Sequence, residues 1–219
     1  MKKLIFSLLL LFILSGVYSQ RKVQQSKGSF KMDLCLPNTV ANYAFNRIYN
    51  GLVDVTAYYQ YNVFNGLTVG GGLRYAYFMI DQFYVSNPKD KIEGGLHMPS
   101  AFLKVGYEKF TTDRFAYEWS LNSGYTYAVS TNDSTKAILG KPFVDQDIFI
   151  QPKLGMYLIA EENTAFSLIL SYTWFLNNFR PEYHAQDGFS GTGMKPSDWA
   201  GVTQFFSVGF GYSYYFGRK

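Results

Sequence analysis

From Gly28 onward the chain alternates at period two, in one segment after another. The last such segment is the clearest. Phe206, Val208, Phe210, Tyr212, Tyr214 and Phe216 share one face, and Ser207, Gly209, Gly211 and Ser213 share the other. A strand of a soluble sheet turns its large apolar face inward and a polar or charged face to water. Here the second face is small, which suits the inner wall of a narrow barrel filled by long side chains from other strands. The segments starting at Phe115 and Phe166 repeat the pattern over ten or more residues. A tilted strand needs about 9–11 residues to cross a hydrocarbon layer, against about 5–6 for a globular strand.

The same rule predicts eight strands, at roughly 29–36, 52–61, 67–80, 100–110, 115–129, 147–159, 164–177 and 203–216. The first is short and is expected to end at Pro37. Pro152, inside the sixth, predicts a bulge or an interruption because it has no N–H to give the ladder. The connections alternate in length. Those at 62–66, 111–114 and 160–163 are tight, and those at 37–51, 81–99, 130–146 and 178–202 are long. Short turns at one rim and long loops at the other are the build of bacterial outer-membrane barrels. An even strand number then puts both ends of the barrel on the periplasmic side.

The outward residues sort by depth. Tyr59, Tyr61, Tyr107, Phe115, Tyr117, Trp119, Tyr212, Tyr214 and Phe216 fall near the short-turn rim, and Tyr75, Tyr77, Tyr125, Tyr127, Tyr172 and Trp174 near the other. Between them lie mainly aliphatic residues such as Val55, Val69, Leu73, Val105, Leu121, Leu154, Leu168 and Leu170. Two aromatic girdles around an aliphatic belt are what membrane interfaces select. The fold class expected is therefore all-β: an eight-stranded antiparallel transmembrane barrel.

The inward faces carry nearly all the charge within the strands. The bases are Lys31, Arg74, Lys104 and Lys153; the acids are Asp33, Asp54, Glu108 and Glu118. A desolvated charge needs a partner, so these eight are expected to form a structural ion-pair network that plugs the lumen. Phe78, Phe102, Phe149 and Tyr157 add inward bulk.

Composition refines this picture. Among 219 residues, 19 Tyr and 20 Phe far outnumber 3 Trp, as aromatic-rich strands require. Residues 1–19 combine Lys2 and Lys3, an apolar run from Leu4 to Leu14, and small residues at Ser15, Gly16 and Ser19. That is the pattern of a secretory signal peptide cleaved after Ser19, with no Cys after Val17 for a lipid anchor. Residues 20–27 read as a short periplasmic tail and 28–219 as the barrel. Removing the signal leaves 18 basic against 16 acidic residues, too small an excess to argue for nucleic acid. The single Cys35 can form no internal disulfide and no Cys-rich zinc site.

Chemical motifs are weak, and no cofactor, metal or catalytic residue is assigned. His97 and His184 fall in expected outer loops. Ser100 lies close to His97, but the local order His97-Met98-Pro99-Ser100 lacks the short His-x-Ser element of the small lipid A deacylases. Asp133, Asp145, Asp147 and Asp187 read as loop acids without the alternation of a calcium loop. Gly70-Gly71-Gly72 sits inside a strand pattern and reads as close packing or curvature, not a phosphate cradle. Residues 38–49 have the spacing of a short amphipathic helix, with Val40, Ala44 and Ile48 on one side, or of a loop packed on the barrel mouth. In the longest loop, Arg180, Tyr183, His184, Phe189 and Trp199 form a candidate recognition set.

On strand number, loop asymmetry and the closing strand Val208 to Phe216, the chain resembles the OmpA/OmpX-like family of small outer-membrane barrels. The resemblance implies that Phe210, Tyr212, Tyr214 and Phe216 are the aromatic-ended signal read by the barrel assembly machinery, although Gly217-Arg218-Lys219 follow the last aromatic. The signal ending Val17-Tyr18-Ser19-Gln20 and the Tyr/Asn-rich strands look like those of Bacteroidota. No peptidoglycan-binding domain is expected after the barrel. The partners implied are outer-membrane lipid, the assembly machinery during insertion, and a larger outer-membrane complex of secretion (type IX among them) or uptake. A non-enzymatic role through the outer loops or the lipid-facing wall is the first expectation. A narrow ion or small-solute channel is the second, and a lipid A-modifying enzyme the third.

Overall fold

The structure is a computed structural model that describes residues 26–81, 94–132, 136, 140–179 and 201–217. Residues 1–25, with the expected signal peptide, lie outside the described residues, as do Asp133, Asp187 and the candidate set Arg180, Tyr183, His184, Phe189 and Trp199.

The strands are β1 (Gly28–Thr39), β2 (Tyr49–Phe64), β3 (Leu67–Ile80), β4 (Gly95–Thr112), β5 (Phe115–Ser130), β6 (Phe143–Glu161), β7 (Thr164–Asn178) and β8 (Val202–Phe216). Each is antiparallel to its sequence neighbours, and β8 pairs with β1 from Gly28↔Phe216 to Thr39↔Phe205, so the sheet closes as a barrel in simple up-and-down order. Closure leaves no sheet edge with unpaired N–H and C=O groups.

At one end, two-residue connections join the hairpins at 65–66, 113–114 and 162–163. Asn65 (φ 43°) and Gly66 (φ 95°) are left-handed, as an Asn-Gly hairpin turn requires. A register shift precedes each turn, at Asn62/Phe64, Phe110/Thr112 and Ile159/Glu161. Gly28 and Phe216 share this turn end, and the longer connections share the other, loop end.

Apart from β3, the strands overrun the ranges expected from alternation. β1 does not stop at Pro37. It continues against β8 through Pro37↔Ser207, although its register with β2 ends at Cys35↔Asp54. Pro37 thus has a ladder on one side only, the edge-like setting that proline tolerates. Pro152 and Pro99 follow the same rule. At Pro152 the ladder to β5 is unbroken while β7 pairs are missing between Ile150 and Lys153, with no register change. Pro152 therefore interrupts one ladder without making a bulge. Pro99 pairs with Tyr75 of β3, and the β5 ladder is missing between His97 and Ser100. His97, Asp145 and Asp147, expected in loops, are strand residues of β4 and β6. Hydrophobic alternation reports contact with lipid or core, whereas backbone pairing continues beyond both; that is why these ends were not visible in the pattern.

The connection between β1 and β2 contains one helix, α1 (Tyr43–Ile48), capped by Asn42, whose side chain accepts from the Phe45 N–H at 3.0 Å. Ala44, Phe45 and Ile48 are its buried face. Phe45, absent from the expected apolar stripe, is its largest buried side chain, and Val40 precedes the helix.

Inward bulk needs space opposite it. Gly72 stands opposite Tyr58, and Gly124 opposite Phe102. A Cβ on Gly72 would run into Tyr58 Cβ, and one on Gly124 would lie 2.6 Å from Phe102 Cβ. Both glycines are therefore fixed by the close approach of the facing strand, whose backbone lies nearer still, at Ala57 O and Ala101 O.

Candidate functional site

The lumen is filled in layers. At the turn end Phe110, Tyr157, Ile159 and Tyr215 form a buried apolar floor, with the Phe110 and Tyr215 rings edge to face at 5.5 Å. At the loop end α1 supplies the ceiling. Phe45 is fully buried and meets Phe78 at 5.2 Å and Phe179 at 5.3 Å between ring centroids. The helix is tied down by Asn42, which donates to the Gly201 carbonyl at 2.7 Å, and by Thr39, which donates to Asn46 at 2.8 Å.

Between floor and ceiling the eight strand charges lie in contact. Lys31 Nζ is 2.7 Å from both Glu108 Oε1 and Glu118 Oε2, and Lys104 Nζ is 2.5 Å from Glu118 Oε1. Lys153 pairs with Asp33, and Arg74 holds Asp54 in a two-pronged contact, Nε and Nη2 each donating at 2.7 Å. Four bases and four acids thus balance in a space where none is more than 6% exposed.

Residues not read as part of the network complete it. Tyr215 donates to Glu108 at 2.7 Å, Ser207 to Asp54 at 2.9 Å, and Gln60 to Glu108 at 3.0 Å while it accepts from Lys104. The Tyr58 ring has Lys104 and Lys153 ammonium groups each 4.4 Å from its centroid, and Lys153 also donates to its hydroxyl. Gln60 and Tyr58 share the inward parity of Asp54, which is the one signal the sequence offered for them. A transient path for ions would have to part these pairs and displace both apolar ends.

Asp145 and Asp147 extend the inward row of β6 at the mouth. Asp147 accepts from the Ile148 N–H at 2.7 Å and from the Asn177 N–H at 3.2 Å. With Leu96, Met98, Phe175 and Phe179 they line a cleft of about 30 Å³, room for water but far below the roughly 300 Å³ of a small-molecule site. Among the described residues no three His, Cys, Asp or Glu side chains converge to hold a metal.

His97 and Ser100 do not form a nucleophile and base. Three residues apart on β4, they leave opposite faces. Ser100 is inward, 2.7 Å from Thr126 Oγ1, and His97 is outward, its Nδ1 2.7 Å from the Tyr75 hydroxyl.

The outer wall is the reverse of the lumen. Leu73, Leu103 and Phe210 are 68%, 75% and 74% exposed, far beyond what an isolated apolar side chain in water explains, because the whole surrounding wall is apolar too. Among the described residues no helix is long and apolar enough to cross a membrane, and the strands, 12 to 19 residues long, exceed the length a crossing needs. Phe210, Tyr212, Tyr214 and Phe216 stand outward on β8, the strand that closes the barrel.

No protein-family model matches the chain, and no curated protein matches it. Solved structures do. The chain is similar to Neisserial surface protein A (NspA) at 9% identity, over 87% of this chain and 98% of that one, with a TM-score of 0.55. It is similar to the outer membrane protein OprG of Pseudomonas aeruginosa at 11% identity, over 87% and 98%, with a TM-score of 0.52. At such identities the likeness is one of fold. The fold is the eight-stranded antiparallel barrel of outer-membrane proteins.

Proposed function

We propose that the protein is an integral, non-conducting and non-enzymatic outer-membrane barrel, with its turn end in the periplasm. It acts through its outer loops or lipid-facing wall, as a surface-binding protein or as the accessory subunit of a larger outer-membrane complex. One observation carries this reading: the lumen is closed by apolar side chains at both ends and by paired charges between them, whereas the apolar surface is all on the outside. A protein sealed inside interacts outward. The similarity to a Neisserial surface protein and to an outer-membrane protein of Pseudomonas is in keeping with that setting. A secretion or uptake complex is the partner expected, one of type IX secretion among the candidates.

Purification in mild detergent tests the role. Stoichiometric co-purifying proteins are expected; a lone barrel giving steady unit conductance in planar bilayers would overturn it in favour of a channel. The barrel has its own test. Boiled and unboiled samples are expected to migrate differently on a denaturing gel, and identical migration with solubility in plain buffer would refute membrane insertion.

A further inference from the structure

One arrangement recurs on the outer wall near the loop end, in three of the four hairpins. The first strand of the hairpin carries two outward aromatic residues two positions apart: Tyr75 and Tyr77 on β3, Tyr125 and Tyr127 on β5, Tyr172 and Trp174 on β7. Directly opposite the upper aromatic, the second strand places a polar side chain: Tyr77↔His97, Tyr127↔Gln146 and Trp174↔Gln204. Each polar side chain reaches diagonally to the hydroxyl of the lower tyrosine. The distances are 2.7 Å for Tyr75 and His97 Nδ1, 2.5 Å for Tyr125 and Gln146 Oε1, and 2.7 Å for Tyr172 and Gln204 Oε1.

The direction of these bonds has a chemical consequence. Tyr125 and Tyr172 donate to the amide oxygen, so the –NH2 groups of Gln146 and Gln204 keep their donors. The same direction at the third station, with Tyr75 donating to Nδ1, corresponds to the Nε2–H tautomer of His97. Among the described residues neither amide nitrogen nor His97 Nε2 has a protein acceptor. Three stations of donors without acceptors therefore face out of a largely apolar wall, to which Leu73, Ile148 and Val208 contribute exposed side chains. An unpaired donor facing hydrocarbon is unfavourable. The opposite girdle differs: Tyr59, Tyr61, Tyr107, Tyr117, Tyr212 and Tyr214 make no side-chain hydrogen bond among the described residues.

We infer that His97, Gln146 and Gln204, each positioned by a tyrosine hydroxyl, form a belt of hydrogen-bond donors for the phosphate and acyl-carbonyl oxygens of a phosphorylated outer-leaflet lipid. The inference rests on the membrane orientation proposed above. The chemistry fits because the belt keeps amide N–H donors free, borders an apolar wall suited to acyl chains, and occupies one leaflet and not the other. It is spread over three of the four hairpins instead of lining a pocket, as a contact with annular lipid requires.

The test is native mass spectrometry of the full barrel in detergent micelles supplied with lipid A, with dephosphorylated lipid A and phosphatidylcholine as competitors. Wild-type protein is expected to retain lipid A in preference to both. The triple variant His97→Phe, Gln146→Leu, Gln204→Leu should lose about tenfold in retention, the equivalent of roughly one net hydrogen bond. The hydroxyl-deleting variant Tyr75→Phe, Tyr125→Phe, Tyr172→Phe should lose less. Excess inorganic phosphate should not displace the lipid, since a free anion lacks the acyl chains. A triple variant that still shifts on boiling and holds as much lipid A as wild type overturns the inference while leaving the barrel intact. A belt that retains a protein but no lipid overturns it equally. Should the triple variant fail to fold, the three single substitutions carry the same comparison, with retention unchanged in all three as the refuting result. Failure of the boiling shift in wild type would instead refute the membrane reading on which the belt depends.

Discussion

Inside the barrel each of the eight charges has an opposite partner within hydrogen-bonding reach, whereas the outer wall between the girdles carries no charge among the described residues and is mainly aliphatic. Both surfaces come from the same strands, alternate residue by alternate residue. The difference teaches that the two faces answer to different solvents. The inward face is buried, so each charged group there depends on particular partners. The outward face is satisfied by whatever apolar medium surrounds it, so its residues are interchangeable within a chemical type.

The largest test of that contrast is Glu118, which faces both Lys31 and Lys104. Glu118→Leu leaves two buried ammonium groups short of a partner and is expected to cost about 3–5 kcal/mol, measured by urea unfolding in lipid vesicles. A loss under about 1 kcal/mol would mean that the lumen is hydrated enough to screen its charges. Arg74 and Asp54 sharpen the point. Either single change to an apolar residue should cost several kcal/mol, while the double change Arg74→Met with Asp54→Leu should recover most of it, because no unpaired charge remains.

On the outside, Leu103 stands mid-wall. Leu103→Arg is expected to cost about 2–4 kcal/mol in a bilayer, and Leu103→Ala less than about 1, because lipid fills the space and no cavity forms. Equal effects of the two would place Leu103 against protein, not lipid. The smallest expected effect separates the girdles. Tyr125→Phe removes a bonded hydroxyl and should cost about 0.5–1.5 kcal/mol, whereas Tyr117→Phe, in the other girdle, should leave the unfolding midpoint unchanged.

The residues differ in how far they could be read from the chain alone. The period-two pattern located all eight strands and placed the eight charges on one face, since side-chain parity along a strand is a local property. It missed the ends of β1, β2, β4 and β6, because alternation fades where lipid contact ends although pairing goes on. Phe45 was missed in α1 because the expected stripe, Val40, Ala44 and Ile48, ran in steps of four and skipped it, and six helical residues leave little periodicity to find. The tie from Lys31 to Glu108 spans 77 residues and that from Lys153 to Asp33 spans 120, separations about which periodicity says nothing.

The donor belt is the extreme case. His97, Gln146 and Gln204 have no common motif in sequence, and only the register across β3–β4, β5–β6 and β7–β8 reveals that they occupy one repeated position. Which face of a strand a residue takes, and hence whether it meets lipid or lumen, follows from the sequence because neighbouring Cβ atoms point opposite ways. Which partner it meets there was decided only by closure of the barrel, since strand register is set by all eight ladders together and not by any single strand.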